Sequence, residues 1–176
     1  MIAVLLAMQA VAVDSPPLEA GRWILRRTVE RGTGAPGLSA ALRADDGSAQ
    51  LLVRCDIGYR RTLSIQFLPG PHRGISLAVP VTLNRVTSTE TSIVPLIWEP
   101  GPNGAFARDG EEDGSASDAA ADLIRHPGRL SVISADRGGN RIETSFQNRQ
   151  GREVIGQIIA ACPWQAGPDE PKQDHQ

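Results

Sequence analysis

Cys55 and Cys162 are the only cysteines in this 176-residue chain, and the chemistry open to them depends on where the chain folds. In an oxidising compartment an even count means pairing, whereas in the cytosol two buried thiols would stay reduced. Each ends an apolar run, Cys55 in "LLVRC" and Cys162 in "VIGQIIAAC", as the partners of a core-spanning bridge would. A zinc or redox site needs more: there is no CxxC, and His72, His126 and His175 stand at no ligand spacing to either cysteine. We therefore expect a structural Cys55–Cys162 disulfide, which leaves no thiol to act as a nucleophile. Closing a loop of about a hundred residues contributes roughly 4 to 5 kcal/mol in the chain-entropy account.

The acidic residues offer two further kinds of chemistry. In "DGEEDGSASD", Asp109, Glu111, Asp113 and Gly114 fall at positions 1, 3, 5 and 6 of an EF-hand calcium loop. Position 12, which should supply a bidentate glutamate, is Ala120. Asp109, Glu111 and Asp113 are thus a weak metal candidate, and a solvated acidic loop is the expectation. Asp45, Asp46 and Glu143 could act as the paired acids of a hydrolase on cell-wall or extracellular polymers. Neighbours on a strand point to opposite faces, however, and "DDG" reads as a turn. The histidines read as surface residues: His72 lies in the turn "GPHRG", His126 ends a helix before Pro127, and His175 is in the tail. GxSxG, HExxH and P-loop motifs are missing, so we expect no catalytic residues and no cofactor.

The segment ahead of these residues says where they would be used. Residues 1–12, "MIAVLLAMQAVA", form an apolar run ending in the small-x-small triplet Ala10, Val11, Ala12, and "VDSPP" follows. This reads as a secretory signal peptide cut after Ala12. A run of about twelve residues is too short to cross a bilayer, which takes about twenty. We expect one periplasmic domain over residues 13–164 and a polar, Pro-rich, disordered tail over 165–176. Net charge is only −2, and the basic side chains are arginines except for Lys172. The pairs Arg26–Arg27 and Arg60–Arg61 lack an aromatic platform, so nucleic acid is not an expected partner.

The elements that must position these residues are mostly strands. Short apolar runs rich in β-branched residues and bounded by Gly, Pro, Asp and Asn predict strands over 22–30, 38–43, 50–57, 62–68, 75–86, 93–99, 129–135 and 140–146. Leu63, Ile65 and Phe67 alternate with Thr62, Ser64 and Gln66, giving one core face and one wet face. Gly138 and Gly139 in "DRGGNR" supply the positive φ of a tight hairpin. In "REVIGQIIAAC", by contrast, Val154, Ile155, Ile158, Ile159 and Cys162 make one apolar stripe at helical period, interrupted by Gly156. "SDAAADLIRH" also reads as a helix, with Ser117 as N-cap, Asp118 in the first turn and Pro127–Gly128 as the stop. The expected fold is mainly β: a single antiparallel sandwich or curved sheet of about seven or eight strands, with a C-terminal helix stapled to it through Cys55 and Cys162.

Taken in order, "LLVRCD", "TLSIQF", "LNRVTST", Trp98, Phe106, "RLSVISADRGGNRIETSF" and "VIGQIIAACPW" resemble the VasI/TagO family of type VI secretion-associated periplasmic proteins. Members show an arginine-cysteine pair on a strand, a later "RL-V" strand before a glycine turn, a strand ending in phenylalanine, and a helix finishing in cysteine with tryptophan two residues on. The match covers residues 50–164. The resemblance implies an exported accessory protein without chemistry of its own, whose partner is an envelope or secretion-apparatus protein. The alternatives are an envelope hydrolase and a small-ligand carrier. A carrier needs an apolar cavity between sheets, and three Trp, three Phe and one Tyr are the aromatic residues available to line it.

Overall fold

The computed structural model describes residues 19–29, 34, 36–57, 61–70, 75–76, 79–101, 103–109 and 115–162. The leader, the tail, His72, His175, Trp164, Glu111 and Asp113 lie outside the described residues. Four strands follow one another as an antiparallel meander: β1 (Trp23–Val29), β2 (Pro36–Arg43), β3 (Gln50–Ile57) and β4 (Arg61–Leu68). The chain then leaves for a second sheet through β5 (Thr82–Val86) and β6 (Thr91–Val94), and returns through β7 (Glu99–Gly101) and β8 (Gly104–Arg108). Helix α1 (Ser115–Arg125) leads to the hairpin of β9 (Gly128–Ala135) and β10 (Arg141–Asn148), and α2 (Gly151–Ala161) ends the described chain. The six-stranded sheet has the order β1-β2-β3-β4-β8-β7 and the four-stranded sheet β10-β9-β5-β6, with all strand pairs antiparallel. The fold is mainly β with two antiparallel sheets, as expected. None of the described helices is long and apolar enough to cross a membrane.

Period-two patterning builds the large sheet. Leu51, Val53 and Cys55 of β3 and Leu63, Ile65 and Phe67 of β4 all point to one face and are at most 1% exposed. Helices α1 and α2 lie against each other on this face, α1 over β4 and β8, α2 over β1, β2 and β3. On α2 the expected stripe is present: Ile155 and Ile158 are fully buried, Cys162 nearly so, and Val154 and Ile159 are half-buried against the same core. Residues from the small sheet, among them Leu83, Val132 and Phe146, complete that cluster. Phe67 and Phe146 meet edge to face across the two sheets, with ring centroids 6.5 Å apart.

Four expectations need correction. Ten strands are described rather than seven or eight, because 93–99 is divided between the sheets. Pro95, which has no N–H for a ladder, follows β6, and the chain resumes as β7 only at Glu99. The expected strand 75–86 shortens to β5 beyond Pro80, with Ser76 held in a single bridge to Ala135. β8, "GAFAR", was unexpected, since it is short and has no β-branched residue. Its place is fixed by Gly104, whose hydrogen stands where a Cβ would lie 2.0 Å from the Phe67 carbonyl oxygen. Finally, Ser117 is not the N-cap of α1, which starts at Ser115; the cap comes from outside the helix, as described next.

Candidate functional site

The predicted disulfide is present. Cys55 on the inner face of β3 and Cys162 at the C-cap of α2 are joined with their Cα atoms 5.6 Å apart, and both are buried. The weak metal candidate is put to a different use at its one described acid. Asp109, just after β8, accepts the Ser117 N–H at 2.9 Å on Oδ1 and the Ser117 hydroxyl at 2.5 Å on Oδ2, capping the first turn of α1. Ala120, at the closing position of the supposed loop, is fully buried in that helix. Among the described residues no group of three or more His, Cys, Asp or Glu converges as metal ligands would.

The paired acids are distributed in the same structural way. Asp46 accepts the backbone N–H and the hydroxyl of Ser48 at 2.9 and 2.6 Å, closing the expected turn, while the Asp45 N–H donates to the Ser145 carbonyl of the other sheet. Glu143 is exposed on β10, opposite Ile133. His126 is exposed at the end of α1, with Nδ1 3.0 Å from Asp122 Oδ1, and Asp122 also meets Arg85 Nε at 3.4 Å. Of the arginine pairs, Arg60 is outside the described residues, and Arg26 and Arg27 take opposite faces of β1.

A concavity lies on the outer face of the large sheet. The alternation that buries Leu51, Val53 and Cys55 turns Arg54 and Asp56 outward. On β4 it turns out Thr62, Ser64, Gln66 and Leu68, and on β8 Phe106 and Arg108. Register then aligns Arg54, Ser64 and Arg108 on one row across three strands, with Gln66, Phe106 and Glu99 on the next. All of these except Glu99, together with Gly101, Asn103 and Gly104, line an open groove of about 500 Å³. Within it, Arg54 Nε donates to Asp56 Oδ1 at 2.6 Å and Gln66 Nε2 to Ser64 Oγ at 3.3 Å. The Arg108 guanidinium stands 5.7 Å from the centre of the Phe106 ring and 3.7 Å from a Glu99 oxygen. The face thus offers guanidinium, amide and hydroxyl donors beside two carboxylate acceptors, all held on rigid strands. Contrary to a uniformly wet face, Ser39 and Ser64 are only 5% exposed beneath their longer neighbours.

Comparison with family models, with curated proteins and with solved structures finds no match in any of the three.

The groove was not foreseen from the sequence. Half of it was legible, because period two in "LLVRCD" and "TLSIQF" puts Arg54 and Asp56, and Thr62, Ser64 and Gln66, on shared faces. The rest depends on β8 lying beside β4, which joins residues about forty positions apart and has no local signal.

Proposed function

We propose that this protein is an exported binding protein, an accessory of an envelope assembly, and that it engages its target through the outer face of the six-stranded sheet. The observation that carries this reading is the groove itself. The opposite face of the same sheet is taken up by helices and core, while this one presents ordered polar side chains to solvent. Three further features support it. A buried Cys55–Cys162 bridge belongs to an oxidising compartment. Residues 1–12 have the pattern of a cleavable leader. The resemblance of residues 50–164 to type VI secretion-associated periplasmic proteins makes a secretion apparatus the kind of assembly to look for first.

The test is in-cell photocrosslinking from Gln66 or Asn103 in the groove, with Glu143 on the small sheet as the comparison position. The captured protein is then analysed by mass spectrometry without reduction. The expected result is an N-terminus at Val13, an intact bridge, and a reproducible envelope adduct from the groove positions but not from Glu143. A reduced, uncleaved cytosolic protein, or adducts from Glu143 alone, would overturn the reading.

A further inference from the structure

We propose that the outer face of the large sheet binds an acidic polysaccharide, held by a row of arginines that runs across the strands. This deepens the reading above, since it rests on that face being the binding surface, and it names the ligand chemistry.

The row is a product of register. Arg26 on β1 stands opposite Ser39 on β2, Ser39 opposite Arg54 on β3, Arg54 opposite Ser64 on β4, and Ser64 opposite Arg108 on β8. Directly paired residues share a face, so five neighbouring strands contribute Arg, Ser, Arg, Ser, Arg in one line. With strands about 4.8 Å apart, the arginines recur roughly every 10 Å. The two serines are short and nearly buried, so the arginines are the longer side chains of the row.

Their charges are incompletely answered by the protein. Arg26 Nε is buried without a hydrogen-bond partner. Arg108 reaches Glu99 only at 3.7 Å, and both side chains are about half exposed. Arg54 alone has a close partner, in Asp56. Evenly spaced cations along one sheet face complement a polymer whose anions recur at a similar interval, not a compact ion.

The surroundings of the row select among polyanions. Four of its five strands, β2, β3, β4 and β8, are paired on both sides, so an acidic peptide could add as a strand only at the β1 edge and could not follow the row across the sheet. Asp56 and Glu99 would repel the close-packed phosphates of an anionic membrane. The same carboxylates can accept from, and the Gln66 and Asn103 amides can donate to or accept from, hydroxyl groups lying between the charges. A chain of sugars with acidic groups separated by neutral residues supplies both elements.

The probe is hyaluronate oligosaccharides, which carry a carboxylate on every second sugar, titrated by calorimetry against the intact oxidised protein. Dextran, polyglutamate and anionic phospholipid vesicles are run in parallel. We expect hyaluronate binding that weakens as ionic strength passes about 0.1 M, where the Debye length falls to about 10 Å, the spacing of the row. R26Q and R108Q, which leave the Arg54–Asp56 pair intact, should each lower affinity about three- to fivefold. The triple variant with R54Q should remove binding, with unchanged thermal midpoints of R26Q and R108Q excluding misfolding. Failure to bind hyaluronate, equal binding by R26Q and R108Q, or equal affinity for polyglutamate or vesicles would each overturn the inference. If the groove positions still crosslink to an envelope protein while hyaluronate does not bind, the polysaccharide falls and the binding-face reading stands.

Discussion

Asn148, the last residue of β10, is fully buried and uses both ends of its amide. Its Oδ1 accepts from the Trp23 indole at 2.8 Å, and its Nδ2 donates to the Leu123 and His126 carbonyls at 2.7 and 3.2 Å. One side chain therefore joins β1, the end of α1 and β10, and it answers carbonyls that a helix C-terminus leaves unpaired. Asn148→Ala strands a buried indole N–H and a buried carbonyl, and should cost about 2 to 4 kcal/mol in urea denaturation. Asp136 shows a different balance at the exposed β9–β10 turn. The Asn140 side-chain amide, followed by the backbone N–H groups of Asn140, Gly138 and Gly139, outweighs slight desolvation and holds its carboxyl below the usual carboxylate range. A depressed pKa means stability that is present above the unfolded-state value and lost as pH falls through the folded-state value. The stability gap between wild type and Asp136→Asn should thus be present at neutral pH and close in acid, as pH-dependent denaturation would show. The hairpin was legible from its glycines, and Gly139 does take φ 82°. Asn148 was not legible, because its partners lie 125, 25 and 22 positions away and an isolated asparagine before a helix looks like any turn residue.

At the scale of elements, α2 carries a local conflict that its packing overrides. Gly156 lies in the middle of the helix, and apart from the helix's own neighbouring backbone no described heavy atom lies within 4 Å of where its Cβ would stand. Gly156→Ala should therefore stabilise the protein by about 0.5 to 1 kcal/mol, measured by chemical denaturation, through a less flexible unfolded chain and better helix propensity. β8 gives the opposite expectation. At Gly104 any Cβ would meet the Phe67 backbone, so Gly104→Ala should separate β8 from β4 and open the groove wall. Loss of amide-exchange protection along Ser64–Phe67 would report it; unchanged protection would refute it. Strands with strict alternation, such as β3 and β4, were readable to within a residue, since period two is a local property. β5 to β8 were misread because prolines, short lengths and alanine-rich composition hide an alternation that only partner strands make visible. The start of α1 was misplaced for a related reason: its capping carboxylate, Asp109, sits six residues before the helix.

For the molecule as a whole, the sequence supports a β-rich chain with a bridged C-terminal helix, and it does not reveal that the chain crosses three times between two sheets. The strand orders β1-β2-β3-β4-β8-β7 and β10-β9-β5-β6 are facts about long-range pairing, and the groove and the arginine row are consequences of them. The bridge spans 107 positions, and replacing both cysteines by alanine should lower stability by about 4 kcal/mol. A thermal midpoint unchanged under oxidising conditions would count against its role as a staple. The span of the bridge also bears on the life of the protein after folding. Everything from β4 to α2 lies within one covalent ring, so a protease that cuts any surface loop in that stretch, such as the one between β9 and β10, opens the ring without releasing either piece. A nicked molecule would keep its mass on a gel run without reductant and fall into two fragments once reductant is added, so such damage would go unseen until the sulfurs are parted.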